Sequence, residues 1–286
     1  MTSTPSVAII CPSHRPLDTL SKLAYNSILL QEYQALSLYF CINGVTENEF
    51  KIIERYIHNQ NTNKYPVFLT FHRSALSPGS ARRYLLNQIK SDYVLFIDSD
   101  DLASKNLVSQ KISCALEHNI DVVISSAKVF RLSKDSQLNY SRKFRSYLIQ
   151  YVILCLFKHS WLVLSVNLIP NSGTLIKTSP FIELLKTYPS QPHEDFIFYH
   201  KILDLKPSIA LILYPLVSYY ISGSTTTGNK LKSKIWHYRA LKYIKPQYST
   251  IQKLLITLMG PLLSLFLSFL NQLASAPDKF IIKKNL

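Results

Sequence analysis

Cysteine is sparse and scattered: Cys11, Cys41, Cys114 and Cys155 lie far apart, and no CxxC pair occurs. Zinc binding and a compact disulfide framework are disfavoured, and a reducing cytoplasm suits the chain. Acidic residues are also few, 17 against 32 Lys and Arg, which leaves a net charge of +15. Such a balance favours anionic partners: phosphates, nucleic acid or an acidic membrane face. Nucleic acid is argued against by a second absence, since the basic residues are dispersed and no aromatic and basic motif of a known binding module occurs. The N-terminal stretch "MTSTPSVAIICPSHRP" lacks a basic leader, and its apolar run of about four residues is too short for a signal-peptide core. Secretion is not expected.

What is present is ample apolar material, 47% of 286 residues, enough for one large domain or one and a half ordinary ones. Over the first hundred residues, strand and helix patterns alternate. "SVAII" reads as a strand ended by Cys11 and Pro12, and "DTLSKLAYNSILLQ" as a helix behind an Asp18 cap. "LSLYFCI" is a second strand, Asn43 and Gly44 a turn, "ENEFKIIERYIHNQ" a helix, "YPVFLTFHR" a third strand, "SARRYLLNQIK" a helix and "DYVLFID" a fourth strand. This alternation predicts an α/β fold with a parallel sheet covered by helices, whose ligands gather at the carboxyl ends of the strands.

At one such end lies "YVLFIDSDDL", where an apolar run stops at Asp98, Asp100 and Asp101. If the chain stays extended through Ser99, the Asp98 and Asp100 carboxylates point the same way and want a cation. Oxygen ligands of this kind suit Mg2+ or Mn2+, with substrate phosphates and water completing the shell. The competing reading is a solvated turn in which Asp101 caps the next helix.

Three stretches in order, "SVAIICPSHRP", "SPGSARRYLLNQIKSDYVLFIDSDD" and "HEDFIFYHKIL", resemble the family 2 glycosyltransferases, inverting enzymes with the GT-A nucleotide-sugar-binding fold. The resemblance runs from about Ser6 to Thr226. It implies a mixed, mainly parallel sheet flanked by helices, and a metal ion, Mn2+ or Mg2+, held by Asp100 with Asp98 at the donor diphosphate or ribose. Pro12, His14, Arg15, Arg82 and Ser99 become candidate donor-binding residues, with Gly79 allowing a tight turn beside the phosphates. Asn43 stands where the family usually carries an acidic base-recognising residue, and its amide can donate to and accept from a base edge.

An inverting transfer needs a base for the acceptor hydroxyl. The resemblance assigns it to Asp195, with Glu194 in support; read without it, both are first-turn residues complementing a helix dipole. The resemblance also implies that His193, in "QPHED", and Ser172 and Gly173, in "IPNSGTLIKTS", fall on the acceptor side. The stretch "YYISGSTT" resembles a family loop that closes over the donor, with Ser222 replacing a metal-binding His and Tyr220 an Arg, so that closure falls to Ser224 and Thr225. The competing classes are a non-catalytic nucleotide-sugar-binding scaffold and a sugar-phosphate nucleotidyltransferase; the latter usually carries a glycine-rich signature near the first strand, which "CPSHRP" lacks.

The catalytic domain is thus expected over 1–228 and a basic, apolar helical extension over 229–286. Leu254 to Leu270 holds 17 residues without a charge, a helix of roughly 25 Å against a hydrocarbon layer of about 30 Å. Gly260 and Pro261 are expected to break it, so that it dips into one leaflet between flanking lysines. A second apolar stretch, "SYLIQYVILCLFKHSWLVLSVNLIP", is interrupted by Lys158 and His159 and suits a buried or interfacial helix pair. The expectation is an enzyme at the cytoplasmic face of a membrane. It takes a nucleotide-sugar donor and a glycan or lipid-linked acceptor of surface-polysaccharide synthesis.

Overall fold

Val7 to Ile10 and Leu38 to Ile42 are continuous apolar runs with essentially no exposure, the signature of strands covered on both faces. They form the centre of β1 (Val7–His14) and β2 (Leu36–Asn43). The computed structural model describes residues 4–14, 18–61, 64–132, 138–140, 164–165, 167, 169–221, 230–273 and 281–285. Within them, β3 (Val67–His72), β4 (Tyr93–Phe96), β5 (Leu102–Ala103), β6 (Val122–Leu132), β7 (Leu138–Tyr140), β8 (Leu175–Lys177), β9 (Ser208–Ile221) and β10 (Ile281–Asn285) complete a single sheet.

The strand order is β10-β9-β6-β8-β4-β1-β2-β3, with β5 on β9 and β7 on β6. β3, β2, β1 and β4 are mutually parallel, as the alternation predicted. β8 then runs antiparallel between β4 and β6, and β9 lies parallel to β6. The sheet is mixed and mainly parallel.

The helices are α1 (Thr19–Leu29), α2 (Glu47–Asn61), α3 (Pro78–Leu86), α4 (Leu107–His118), α5 (Ile182–Lys186), α6 (Glu194–Asp204), α7 (Lys230–Ile244) and α8 (Thr250–Leu273). Asp18 caps α1 as expected, accepting from the Ser21 amide at 2.7 Å. Helix α3 starts earlier than the periodicity suggested, because Ser77 accepts from the Ser80 amide and Pro78 suits the first turn. Helix α4 is introduced by Asn106 and not by Asp101.

Helix α8 corrects the expected break. It runs 24 residues straight through Gly260 and Pro261. Gly260 serves clearance: a Cβ there would lie 2.3 Å from the Ser165 carbonyl oxygen. Among the described residues, no helix is long and apolar enough to cross a membrane. The second apolar stretch lies largely outside the described residues. The last strand, β10, returns from the helical extension to pair antiparallel with β9.

Lys111 of α4 is fully buried, donating to the Val123 carbonyl at 2.9 Å, and burial pushes its ammonium well below the usual lysine range. The unfolded chain therefore holds a proton that the native chain releases, so this lysine makes stability rise with pH, by at most about 1.4 kcal/mol per unit. Lys111→Met is expected to stabilise the protein near neutrality. Denaturant titrations taken upward in pH towards the ordinary lysine range should show the gap between variant and native protein narrowing as pH rises; a gap constant over the whole range would contradict the account.

Candidate active site

The parallel strands deliver their carboxyl ends to one edge, where His14 pairs with Asn43, Asn43 with His72 and Ile10 with Phe96. His14 is exposed there, its Nδ1 3.4 Å from the Asn43 carbonyl oxygen. Pro12 is buried one turn of pleat behind it. Arg15, Ser222, Ser224 and Thr225 lie outside the described residues.

β4 ends at Phe96, and the acidic run beyond it is not extended. The Asp101 amide donates to the Asp98 carbonyl at 3.1 Å, closing a tight turn with Ser99 and Asp100 at its corners. The expected strand-like convergence of Asp98 and Asp100 is thus replaced by a turn that still crowds their charges. Burial, then repulsion from Asp98, pushes the Asp100 carboxyl up to about 6. Asp101 is 2% exposed and raised further by burial and by Asp100 and Asp98. It bonds the Ser172 hydroxyl and accepts from the Tyr220 amide, so it is an internal tie between the turn and β9 and does not cap a helix.

Arg82 links this turn to the second acidic pair. Its guanidinium donates from Nη2 to Asp98 Oδ1 at 2.6 Å and from Nη1 to Glu194 Oε1 at 2.7 Å, with the side chain 5% exposed. Burial opposes the charge, but Asp98, Tyr188 and Glu194 together hold it firmly protonated. Glu194 is raised by burial and pulled back by Arg82. The Arg82 Nε has no partner among the described residues. Two of the arginine's donor groups are therefore already committed, and the expected open contact with donor phosphates is not the arrangement found. Asn171 completes the support: its amide donates to Asp98 Oδ1 at 3.2 Å while its oxygen accepts from Tyr188 and Tyr199.

Gly79 explains how α3 brings Arg82 so close. A Cβ at Gly79 would stand 2.1 Å from the Pro189 carbonyl oxygen and 2.9 Å from Glu194 Cγ. Its need is clearance against the loop before α6, and not the tight turn expected. Asn43 is likewise spent internally: its amide donates to the Ser13 and Cys41 carbonyls and its oxygen accepts from the Leu76 amide. It ties β1, β2 and the approach to α3, which corrects the expectation of an amide held out to a base.

Ser172 and Gly173 are also corrected. Ser172 Oγ accepts from the Asp98 amide, and Gly173, at φ +85°, donates to the Phe96 carbonyl at 2.6 Å. Both are buried behind the acidic turn, where an acceptor has no access. Asp195 lies in the first turn of α6, its Oδ2 accepting from Asn167 at 2.7 Å. His193, at φ +62°, stands before it, with its ring 6.2 Å from those of Trp236 and His237 on α7. Burial and His193 push His237 down to about 4, leaving it neutral.

Sequence reading missed Tyr188, Tyr199, Asn167 and Trp236. Tyr188 had a signal, its place in the proline-bounded loop before Glu194. The other three are brought in by tertiary contacts alone. As to metal, no group of three or more His, Cys, Asp or Glu side chains is set for ligation among the described residues. The Asp98–Asp100 pair nevertheless fits a hard divalent ion that takes one or two protein carboxylates, because its charge exceeds what the shared guanidinium can offset.

A family model described as Glycosyl transferase family 2 matches residues 9–167. An uncharacterised glycosyltransferase of Haemophilus influenzae is 26% identical over 234 residues, 81% of this chain and 86% of that protein. The Escherichia coli protein described as UDP-Glc:alpha-D-GlcNAc-diphosphoundecaprenol beta-1,3-glucosyltransferase WfgD is 27% identical over 124 residues, 43% of this chain and 46% of that protein. Among solved structures, S. aureus TarS 1-349 in complex with UDP-GlcNAc superposes with a TM-score of 0.59 at 15% identity, over 90% of this chain and 71% of that one. The mannosyltransferase PcManGT from Pyrobaculum calidifontis, in complex with GDP-Man and Mn2+, gives 0.58 at 14% identity, over 96% and 76%. These two are likenesses of fold, the GT-A arrangement. With its family motifs spread across the same sheet edge, the chain belongs to glycosyl transferase family 2 and is a glycosyltransferase.

Proposed function

We propose that this enzyme is a metal-dependent inverting glycosyltransferase. It moves a sugar from a nucleoside-diphosphate donor to a glycan or lipid-linked acceptor of surface-polysaccharide synthesis, at the cytoplasmic face of a membrane. The observation that carries the reading is the pair of acidic sites on one sheet edge, Asp98 to Asp101 and Glu194 to Asp195, joined through Arg82. A nucleotidyl transfer has no use for the second site. Support for the donor class comes from the UDP-GlcNAc and GDP-Man complexes of the two structural neighbours, and for a lipid-linked acceptor from the diphosphoundecaprenol in the name of the E. coli relative.

Asp100 and Asp98 would hold Mg2+ or Mn2+, which supplies Lewis acidity at the donor diphosphate. Asp195 accepts the proton of the acceptor hydroxyl. Glu194 is held by Arg82 and acts by fixing the start of α6, and the base role of Asp195 rests on its match to the family motif. His14 and Ser99 face the donor from the strand ends, while Pro12, Asn43, Gly79 and Arg82 hold the edge from beneath. His193, beside Trp236, fits the acceptor side. Residues 1–228 form the catalytic unit and 229–286 an extension that ends back on the sheet through β10.

Three outcomes test this. In a panel of nucleotide sugars, Mn2+ and the right donor should together raise the thermal midpoint, and Asp100→Asn should abolish that shift. Asp195→Asn is expected to keep the donor-linked shift while lowering kcat by about 10²- to 10⁴-fold; normal turnover would remove the base assignment. Arg82→Lys keeps the charge but loses the two-armed fork, so kcat should fall more than KM rises, with stability reduced. An unchanged kcat would separate Arg82 from catalysis.

A further inference from the structure

Over residues 250–262, helix α8 turns a row of large apolar residues outward, the wrong side for a surface helix. Ile256, Thr257 and Gly260 turn inward, and Lys253 is buried with its ammonium bonded to the Pro246 and Tyr248 carbonyls. Outward stand Ile251, Leu254, Leu255, Leu258 and Leu262, each at least half exposed. Their spacing confines them to roughly 100° of helix circumference, a single continuous stripe. An isolated exposed leucine needs no explanation, but five on one stripe do.

The surroundings indicate what covers it. Between residues 230 and 286 the chain has ten Lys and Arg against one Asp, and Lys234, Arg239 and Lys242 on α7 are exposed. Ile235 and Tyr243 are exposed on the same helix. A second copy of this chain would bring two strongly cationic regions together across a two-fold axis, whereas an anionic surface gains from both the apolar stripe and the charge. We propose that the outward stripe of α8 is a docking face for an anionic lipid leaflet, in which the helix lies in the plane of the interface.

This rests on the proposed membrane location of the enzyme and adds a geometric consequence. Ile256, on the inward face of α8, shares a buried cluster with Phe196 and Ile197, which directly follow Asp195 on α6. The docking helix and the proposed base thus belong to one packed unit. Docking fixes the height of Asp195 above the lipid, where the sugar of a lipid-linked acceptor would be presented.

The test is flotation of the full-length protein with vesicles of phosphatidylcholine alone or mixed with phosphatidylglycerol. The native protein should float with the mixed vesicles, and added salt should weaken that binding. Leu254→Glu and Leu258→Glu are each expected to lower partitioning by about tenfold or more, with the thermal midpoint and donor hydrolysis unchanged. Native protein that stays with the soluble fraction, or variants that float equally well, would overturn the docking face. So would a dimer in sedimentation that Leu258→Glu dissociates without any vesicle binding, since the second copy would then be the occupant. Loss of hydrolysis in Asp195→Asn alongside intact flotation would separate the two proposals.

Discussion

One buried guanidinium holds the two halves of the site in register. Asp98 follows β4 and Glu194 opens α6, almost a hundred residues later, and Arg82 is the side chain that bonds both carboxylates directly. Taking these charges out of water is expensive, and a buried pair recovers that cost only when geometry and further hydrogen bonds are good. Here the geometry is supplied by Gly79, whose missing side chain lets α3 press against the Pro189 carbonyl and Glu194. Asn171 and its two tyrosines supply the further bonds. The arrangement is a chain of dependencies running from a glycine to a carboxylate.

The carboxylates respond differently according to how much of this support each receives. Asp98 has both Arg82 and Asn171. Asp100, at the corner of the turn, has burial and a like-charged neighbour, and its carboxyl is raised accordingly. Asp101, deepest of the three, serves the backbone of β9 and the Ser172 hydroxyl. Electrostatic discomfort is thus shared by Asp100 and Asp101, of which only Asp100 belongs to the proposed cation site.

Much of this was legible in the chain. The strand and helix alternation of the first hundred residues gave β1 to β4 with their helices, and the Asp18 cap was found where a carboxylate preceded the apolar periodicity. The acidic cluster and the Glu194–Asp195 pair were visible because charge following an apolar run is a local signal. What was not legible depended on contacts between distant segments. Asn43, Ser172 and Gly173 looked like ligand contacts because the family resemblance set them at base-recognising and acceptor-side positions. Their bonds are instead satisfied by Ser13, Leu76, Asp98 and Phe96, partners that no spacing reveals. Gly79 was read for a tight turn and Gly260 for a helix break, whereas each clears a carbonyl on a separate segment.

The pairing of β10 with β9 has a consequence for biosynthesis. Among the described residues, Ser208 to Ile212 finds its outer partner in Ile281 to Asn285, some seventy residues later. At typical translation speeds of about 5 to 20 residues per second, the rim of a nearly finished sheet stays bare for several seconds. An unpaired strand in that interval is a template for other chains, so β10 acts as a seal against misassembly once it has emerged and paired.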